Sequence, residues 1–262
     1  MSIMAEELDL AIKDLTEIKT WSKGENELSF VQRNYSTGLK KYIDRLLAIG
    51  FDGHNRILDA GCGFGQWSLA LSQINKNVWA CDGSRSRVEF LNKLLSRLNI
   101  QNIEPTKSYL EELPYENNYF DAVFCYGVIF ITPWRDSLAE LTRVLKPGGK
   151  IYLTANGLGW YLFLWREEHN KVSDYDPKAI AAQSFTDTLR YNRDNSFQAG
   201  MNFIIEPEEM KHQLIELGFV NIELDSEGTL HLNNTAVKPK PFFNGKYQNN
   251  VSAYEVVATK SN

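Results

Sequence analysis

Apolar positions keep a helical period near the start of the chain. Ile3, Leu8, Ala11, Ile12, Leu15 and Ile18 share one face; Leu28, Val31, Tyr35, Leu39, Tyr42, Ile43, Leu46 and Leu47 share another, up to Gly50. Two amphipathic helices are therefore expected first. From Arg56 the period changes. Short strand-like runs at 57–60, 78–81, 103–106, 122–126 and 151–155 alternate with helical stretches around 67–74, 88–98 and 138–145. This alternation predicts an α/β fold, a parallel sheet with helices on both faces and right-handed crossovers.

The alternation breaks after Ala155. Residues 156–206 mix aromatic, acidic and polar side chains where a simple α/β unit would use a short loop, so they read as an insertion. Order resumes at Glu206-Pro207-Glu208-Glu209, with proline in a helix's first turn and acids beside its positive end; Gly218 closes that helix. Runs at 220–224 and 253–258 are the last two strands, joined by a loop holding Pro239, Pro241, Asn244 and Gly245.

Composition narrows the partners. The 262 residues are 43% hydrophobic and 12% aromatic, enough for a substantial core without disulfides. Against 33 acidic residues stand 28 Lys and Arg, a net charge of −5 that argues against nucleic acid as substrate. Arg85, Arg87, Lys93 and Arg97 recur at helical spacing and read as a solvated helix face. Cys62, Cys81 and Cys125 are an odd count without metal-ligand spacing, so free thiols, no metal and a reducing, cytoplasmic setting are expected. The acidic start of the chain lacks signal-peptide character, and the most apolar run, 158–165, is far short of a membrane span.

The sharpest feature is Ile57-Leu58-Asp59-Ala60-Gly61-Cys62-Gly63-Phe64-Gly65-Gln66-Trp67, a strand entering a glycine-rich turn and then a helix. Alternate glycines let main chain approach a ligand closely, and the helix start offers unpaired N–H groups. The dinucleotide fingerprint G-x-G-x-x-G would need glycine where Gln66 stands, and Asp59 would repel a diphosphate, so a nicotinamide-dependent oxidoreductase is disfavoured.

These residues resemble the first motif of the class I S-adenosylmethionine-dependent methyltransferases, an apolar strand, an acid and G-x-G-x-G, matched by Asp59, Gly61, Gly63 and Gly65. Asp82, followed by Gly83, ends the second strand near the ~20-residue spacing expected of an acid gripping a ribose. The stretch Leu113 to Val123 resembles the family's approach to the fourth strand, and Arg143 to Gly149 its turn before the fifth. The resemblance covers about 56–155. It implies a Rossmann-like, seven-stranded, mostly parallel sheet with the last strand antiparallel, and S-adenosylmethionine as cofactor with S-adenosylhomocysteine as product. It divides a single domain, 1–262, into a helical cap (1–50), a cofactor-binding core (51–155), an inserted substrate lid (156–206) and the end of the sheet (207–262).

One departure concerns adenine. Relatives often place an acid where Tyr109 stands, so Tyr109, main chain at Leu110 or Glu111 are the candidates for that role. Cys62 and Cys125 fall near the cofactor edge, where small buried residues are wanted in any case, and Arg33 is a candidate for the methionine carboxylate. For the acceptor the resemblance implies a small molecule or glycan methylated at oxygen, with His169 and His231 as candidate bases. The alternatives are an N-methyltransferase of a small metabolite and a non-catalytic S-adenosylmethionine-binding module; a homodimer is kept open.

Overall fold

The structure, a computed structural model, describes residues 5–18, 24–233 and 239–262; Ile3 of the first expected helix lies outside them. Helices α1 (Ala5–Ile18), α2 (Glu25–Ser36) and α3 (Leu39–Ala48) lead into β1 (Arg56–Ala60), α4 (Gln66–Ile74), β2 (Asn77–Asp82), α5 (Arg85–Arg97), β3 (Ile103–Lys107), β4 (Phe120–Cys125), α6 (Trp134–Val144) and β5 (Leu145–Asn156). Then follow α7 (Leu158–Glu167), α8 (Pro177–Asp194), α9 (Pro207–Glu216), β6 (Phe219–Ser226), a small hairpin of β7 (Lys246–Tyr247) and β8 (Asn250–Val251), and β9 (Ala253–Lys260).

Seven strands form one sheet in the order β3-β2-β1-β4-β5-β9-β6. β3, β2, β1, β4 and β5 pair in parallel, and β9 runs antiparallel to both β5 and β6. The chain winds outward from β1 to β3, then resumes on the other side of β1 with β4. Such a reversal opens a crevice at the carboxyl ends of the strands. Strand β1 is central and buried from Ile57 to Ala60, which is why it reads as a continuous apolar run.

Alternate residues of the strands feed two cores. Ile57, Val78, Ala80, Phe124 and Tyr152 pack beneath α1, α3, α4 and α5, while Leu58, Val123, Cys125, Ile151 and Leu153 pack against α6 and α9. Among the described residues no helix is long and apolar enough to cross a membrane.

Two expectations change. The second amphipathic helix is two helices, because Gly38 adopts φ +78° and the hydroxyls of Ser36 and Thr37 both donate to the Arg33 carbonyl, ending α2. The insertion is ordered as α7 and α8. Asp176 caps α8 by accepting from the N–H groups of Lys178 and Ala179, with Pro177 in the first turn, a start signal readable in the sequence. The tip of the insertion meets the cap, where the Asn26 N–H donates to Asp174 and the Ser173 hydroxyl to Glu25.

Candidate active site

The glycine turn leaves β1 at the crevice and is fastened to β2 by main chain. The N–H groups of Gly61 and Cys62 both donate to the Cys81 carbonyl, at 2.8 and 2.9 Å, and Gly63 N–H donates to Asp82 Oδ2 at 3.0 Å. Asp82 Oδ1 accepts from Ser84 N–H at 2.8 Å, so both oxygens of a carboxylate only 5% exposed are aimed by backbone. Gly61 lies at φ +77°, and a Cβ there would come within 2.4 Å of Val128. A Cβ at Gly63, also at positive φ, would meet nothing within 4 Å, so the turn keeps open space at its crest. Helix α4 starts at Gln66 without a side-chain cap, leaving its first N–H groups to other acceptors.

Asp59 lies beneath this turn. It is 1% exposed and accepts from Ser68 Oγ at 2.5 Å. Burial pushes its pKa up to about 7 against the Ser68 bond, with a contribution from the Asp82 charge. Cys62 and Cys125 are buried, and burial pushes both thiols well above the usual range, so they fill space beside the crevice.

Tyr109 lies over Gly83: a Cβ built on that glycine would be 2.9 Å from the ring, and Lys107 Nζ stands 4.4 Å from the ring centre. Leu110 is buried and Glu111 half-buried. The structure thus brings Asp82, Gly83 and Tyr109 together at one end of the crevice, beside Gly61, Gly63 and Gly65.

Helix α2 covers the other side of the turn. The Tyr35 hydroxyl donates to the Phe64 carbonyl at 2.7 Å. Arg87, read from the sequence as part of a solvated face, is instead part-buried: Nη1 is 4.0 Å from Asp82 Oδ2, Nε is 3.6 Å from Glu27 on α2, and the guanidinium stands over Phe64. Its location between α2 and the crevice is a tertiary fact that helical spacing does not carry.

Two candidates do not join Asp82. Arg33 is two positions from Tyr35, about 200° around the helix, and so faces away from Phe64. It lies by the insertion, where its field reaches Tyr175 and His169. His231 stands beside Leu232 and Asn233, whose N–H groups both donate to the Ala48 carbonyl at the end of α3. His169 follows α7, the helix that leaves the carboxyl end of β5. Half-buried at the end of α7, it is ringed by Trp160, Phe163 and Phe243 with centroids 6.1, 5.1 and 6.5 Å away. Burial, reinforced by the Arg33 charge, lowers its pKa, so it is neutral at pH 7.

Glu227 fastens the loop that carries Phe243. Only 1% exposed, it pairs with Arg45 of α3 and accepts from the Tyr126 hydroxyl at the end of β4 and from the N–H groups of Phe242 and Phe243. Glu255 completes the network, accepting from Arg45, the Tyr152 hydroxyl and the N–H groups of Thr229 and Leu230. No short motif could have revealed it, since Arg45 and Glu227 are far apart in the chain. Among the described residues no group of His, Cys, Asp or Glu is arranged to hold a metal.

The sheet order, the turn and its acid define a class I methyltransferase fold. The geranyl diphosphate methyltransferase structure in complex with S-adenosylmethionine is similar over 90% of this chain and 89% of that one, with TM-score 0.57 and 16% identity. The YcgJ protein of Bacillus subtilis is similar over 87% and 99%, with TM-score 0.54 and 17% identity. Residues 57–149 match the model of a family described as a methyltransferase domain. The chain is 32% identical over 101 residues to a demethylmenaquinone methyltransferase of Bacillus mycoides, 37% of this chain and 43% of that protein. It is 34% identical over 98 residues to the one of Oceanobacillus iheyensis, 36% and 41%. These matches span less than half of either relative.

Proposed function

We propose that the protein is an S-adenosylmethionine-dependent methyltransferase of a small-molecule acceptor, with oxygen as the atom methylated. The observation that carries this reading is the Asp82 carboxylate, fixed by Gly63 and Ser84 N–H at the point where the strand order reverses. The crevice fits such a ligand: the crest at Gly63 is open, and Gln66 Oε1 beside it is buried without a hydrogen-bond partner. Asp82 would accept from the ribose hydroxyls, the turn and the start of α4 would hold the methionine end, and Tyr109 with Leu110 would flank adenine.

When bound, S-adenosylmethionine supplies a methyl group on a sulfonium, open to in-line displacement. The protein's part is to hold the acceptor against it in a dry site, where orientation is worth about 7 to 11 kcal/mol. Asp59 acts through the turn rather than on the ligand, since its carboxylate is spent on Ser68. In this reading His169, whose pKa burial lowers, would take the proton of an acceptor hydroxyl. The free buried thiols suit a reducing cytoplasm.

Calorimetric titration tests this reading. S-adenosylhomocysteine is expected to bind in the micromolar range and NAD(H) not at all, with Asp82→Ala weakening S-adenosylhomocysteine at least about tenfold while circular dichroism stays unchanged. NAD(H) binding in place of S-adenosylhomocysteine overturns it.

A further inference from the structure

Asp82 faces a cation. Arg87 is the third residue of α5, the helix that starts just after Asp82-Gly83-Ser84, and its guanidinium lies over the ring of Phe64, 5.4 Å from the ring centre. Nη1 stands 4.0 Å from Asp82 Oδ2, the same oxygen that accepts Gly63 N–H at 3.0 Å. Beside that N–H the turn is open, since a Cβ on Gly63 would meet nothing within 4 Å. A buried carboxylate and a guanidinium therefore face each other across a gap next to the crest of the glycine turn, without closing on one another.

The gap suits a hydroxyl. A separation of 4.0 Å is too long for a hydrogen bond, yet an oxygen between the two groups can lie about 2.8 Å from both, with its two bonds at roughly a right angle. A carboxylate only accepts and a guanidinium only donates, so a group that bridges them has to do both, as a hydroxyl does and an ammonium or carboxylate does not. Arg87 has a donor to spare: its Nε is buried without a hydrogen-bond partner, a rare condition in a folded protein. Nε stands 3.6 Å from Glu27 of α2, again beyond hydrogen-bond distance. Glu27 and the Phe64 ring hold the guanidinium in place from two sides and leave only 33% of the side chain exposed.

Resting on the methyltransferase reading, we propose that Arg87 binds the cofactor's ribose together with Asp82: one ribose hydroxyl donates to Asp82 Oδ2 and accepts from the Arg87 guanidinium, and Glu27 of the cap aims Arg87 for that contact. Both hydrogen-bonding senses of the hydroxyl are then met. A ligand without ribose hydroxyls leaves the carboxylate and the guanidinium unbridged, so the pair selects for the intact diol.

The test uses the whole protein, titrated by calorimetry with S-adenosylhomocysteine and with a dideoxy analogue that lacks both ribose hydroxyls. Arg87→Gln is expected to weaken S-adenosylhomocysteine about tenfold, the size of one hydrogen bond from a charged donor, and to leave the analogue within about twofold. Glu27→Gln alone should weaken S-adenosylhomocysteine about threefold, and should have no further effect once Arg87→Gln is present. Arg87→Lys, which keeps the charge without the fork, should fall between, and it carries the comparison if Arg87→Gln unfolds the protein. Equal loss for both ligands, or no loss for either, overturns the proposal while S-adenosylhomocysteine still binds, and independent effects of Glu27 and Arg87 overturn the part given to the cap. Failure of S-adenosylhomocysteine to bind the unaltered protein overturns the methyltransferase reading and this proposal with it.

Discussion

The two ends of the crevice are built by different means. At the β1–β2 end, the working groups are main chain: N–H groups of Gly61, Cys62, Gly63 and Ser84 fix the turn and aim Asp82, all within one βαβ unit. At the end under the cap, side chains from distant segments meet: Arg45 of α3 pairs with Glu227 and Glu255, and Glu227 fastens the loop before β7 through the N–H groups of Phe242 and Phe243. Main-chain geometry tolerates little variation and recurs wherever the same turn is made. A side-chain assembly drawn from distant segments can be refitted piece by piece.

This contrast can be broken most forcefully at Glu227. Replacing it by alanine leaves the buried Arg45 with one carboxylate and the N–H groups of Phe242 and Phe243 without their acceptor, a loss on the order of 3 kcal/mol in urea denaturation. In the folded protein, S-adenosylhomocysteine should still bind as tightly as before; a matching collapse of its affinity would show the two ends to be one unit.

His169→Gln separates the ends in the other direction. About a hundredfold loss of kcat is expected with cofactor affinity retained. Because burial and Arg33 lower the His169 pKa, the unaltered enzyme should keep its activity down to pH values below 6.5 and lose it as the imidazole protonates, a limb that the variant lacks. An unchanged turnover with an accepted substrate removes His169 as base.

The smallest effect concerns Asp59 and depends on pH. Its pKa is raised from 3.8 to about 7 in the fold, so the folded protein binds that proton more tightly than the unfolded chain. The associated stabilisation is complete below pH 3.8 and is lost as the pH rises through about 7. Asp59→Asn, which cannot ionise, should therefore gain on the unaltered protein between pH 4 and 8, by at most about 4 kcal/mol, read as a widening gap in Tm. A gap that does not change with pH would mean that the Asp59 carboxylate is not held neutral.

What could be read along the chain follows from how local each device is. The strand–turn–helix at 57–67 is visible because glycine spacing, an acid and an apolar run are all contiguous, and Asp82 follows from the spacing of one more βα unit. The split at Gly38 was obscured because apolar spacing continues in phase through it, and α8 because its aromatic and acidic composition hides the Asp176-Pro177 start. Arg87 looked solvated because helical spacing gives a residue's face without saying what other element covers it. His231 and His169 looked equivalent as sequence. The fold sets one beside residues bonded to the end of α3 and the other among Trp160, Phe163 and Phe243.

The sequence by itself determined the sheet, the glycine turn and the acid beside it, since hydrophobic period and turn chemistry act over a few residues. Only the tertiary structure decided that Arg87 sits between α2 and Asp82, that His169 is ringed by aromatics, and that Arg45, Glu227 and Glu255 form one buried network. Burial and ion pairing depend on segments more than a hundred residues apart being brought into contact, and no local pattern encodes that distance.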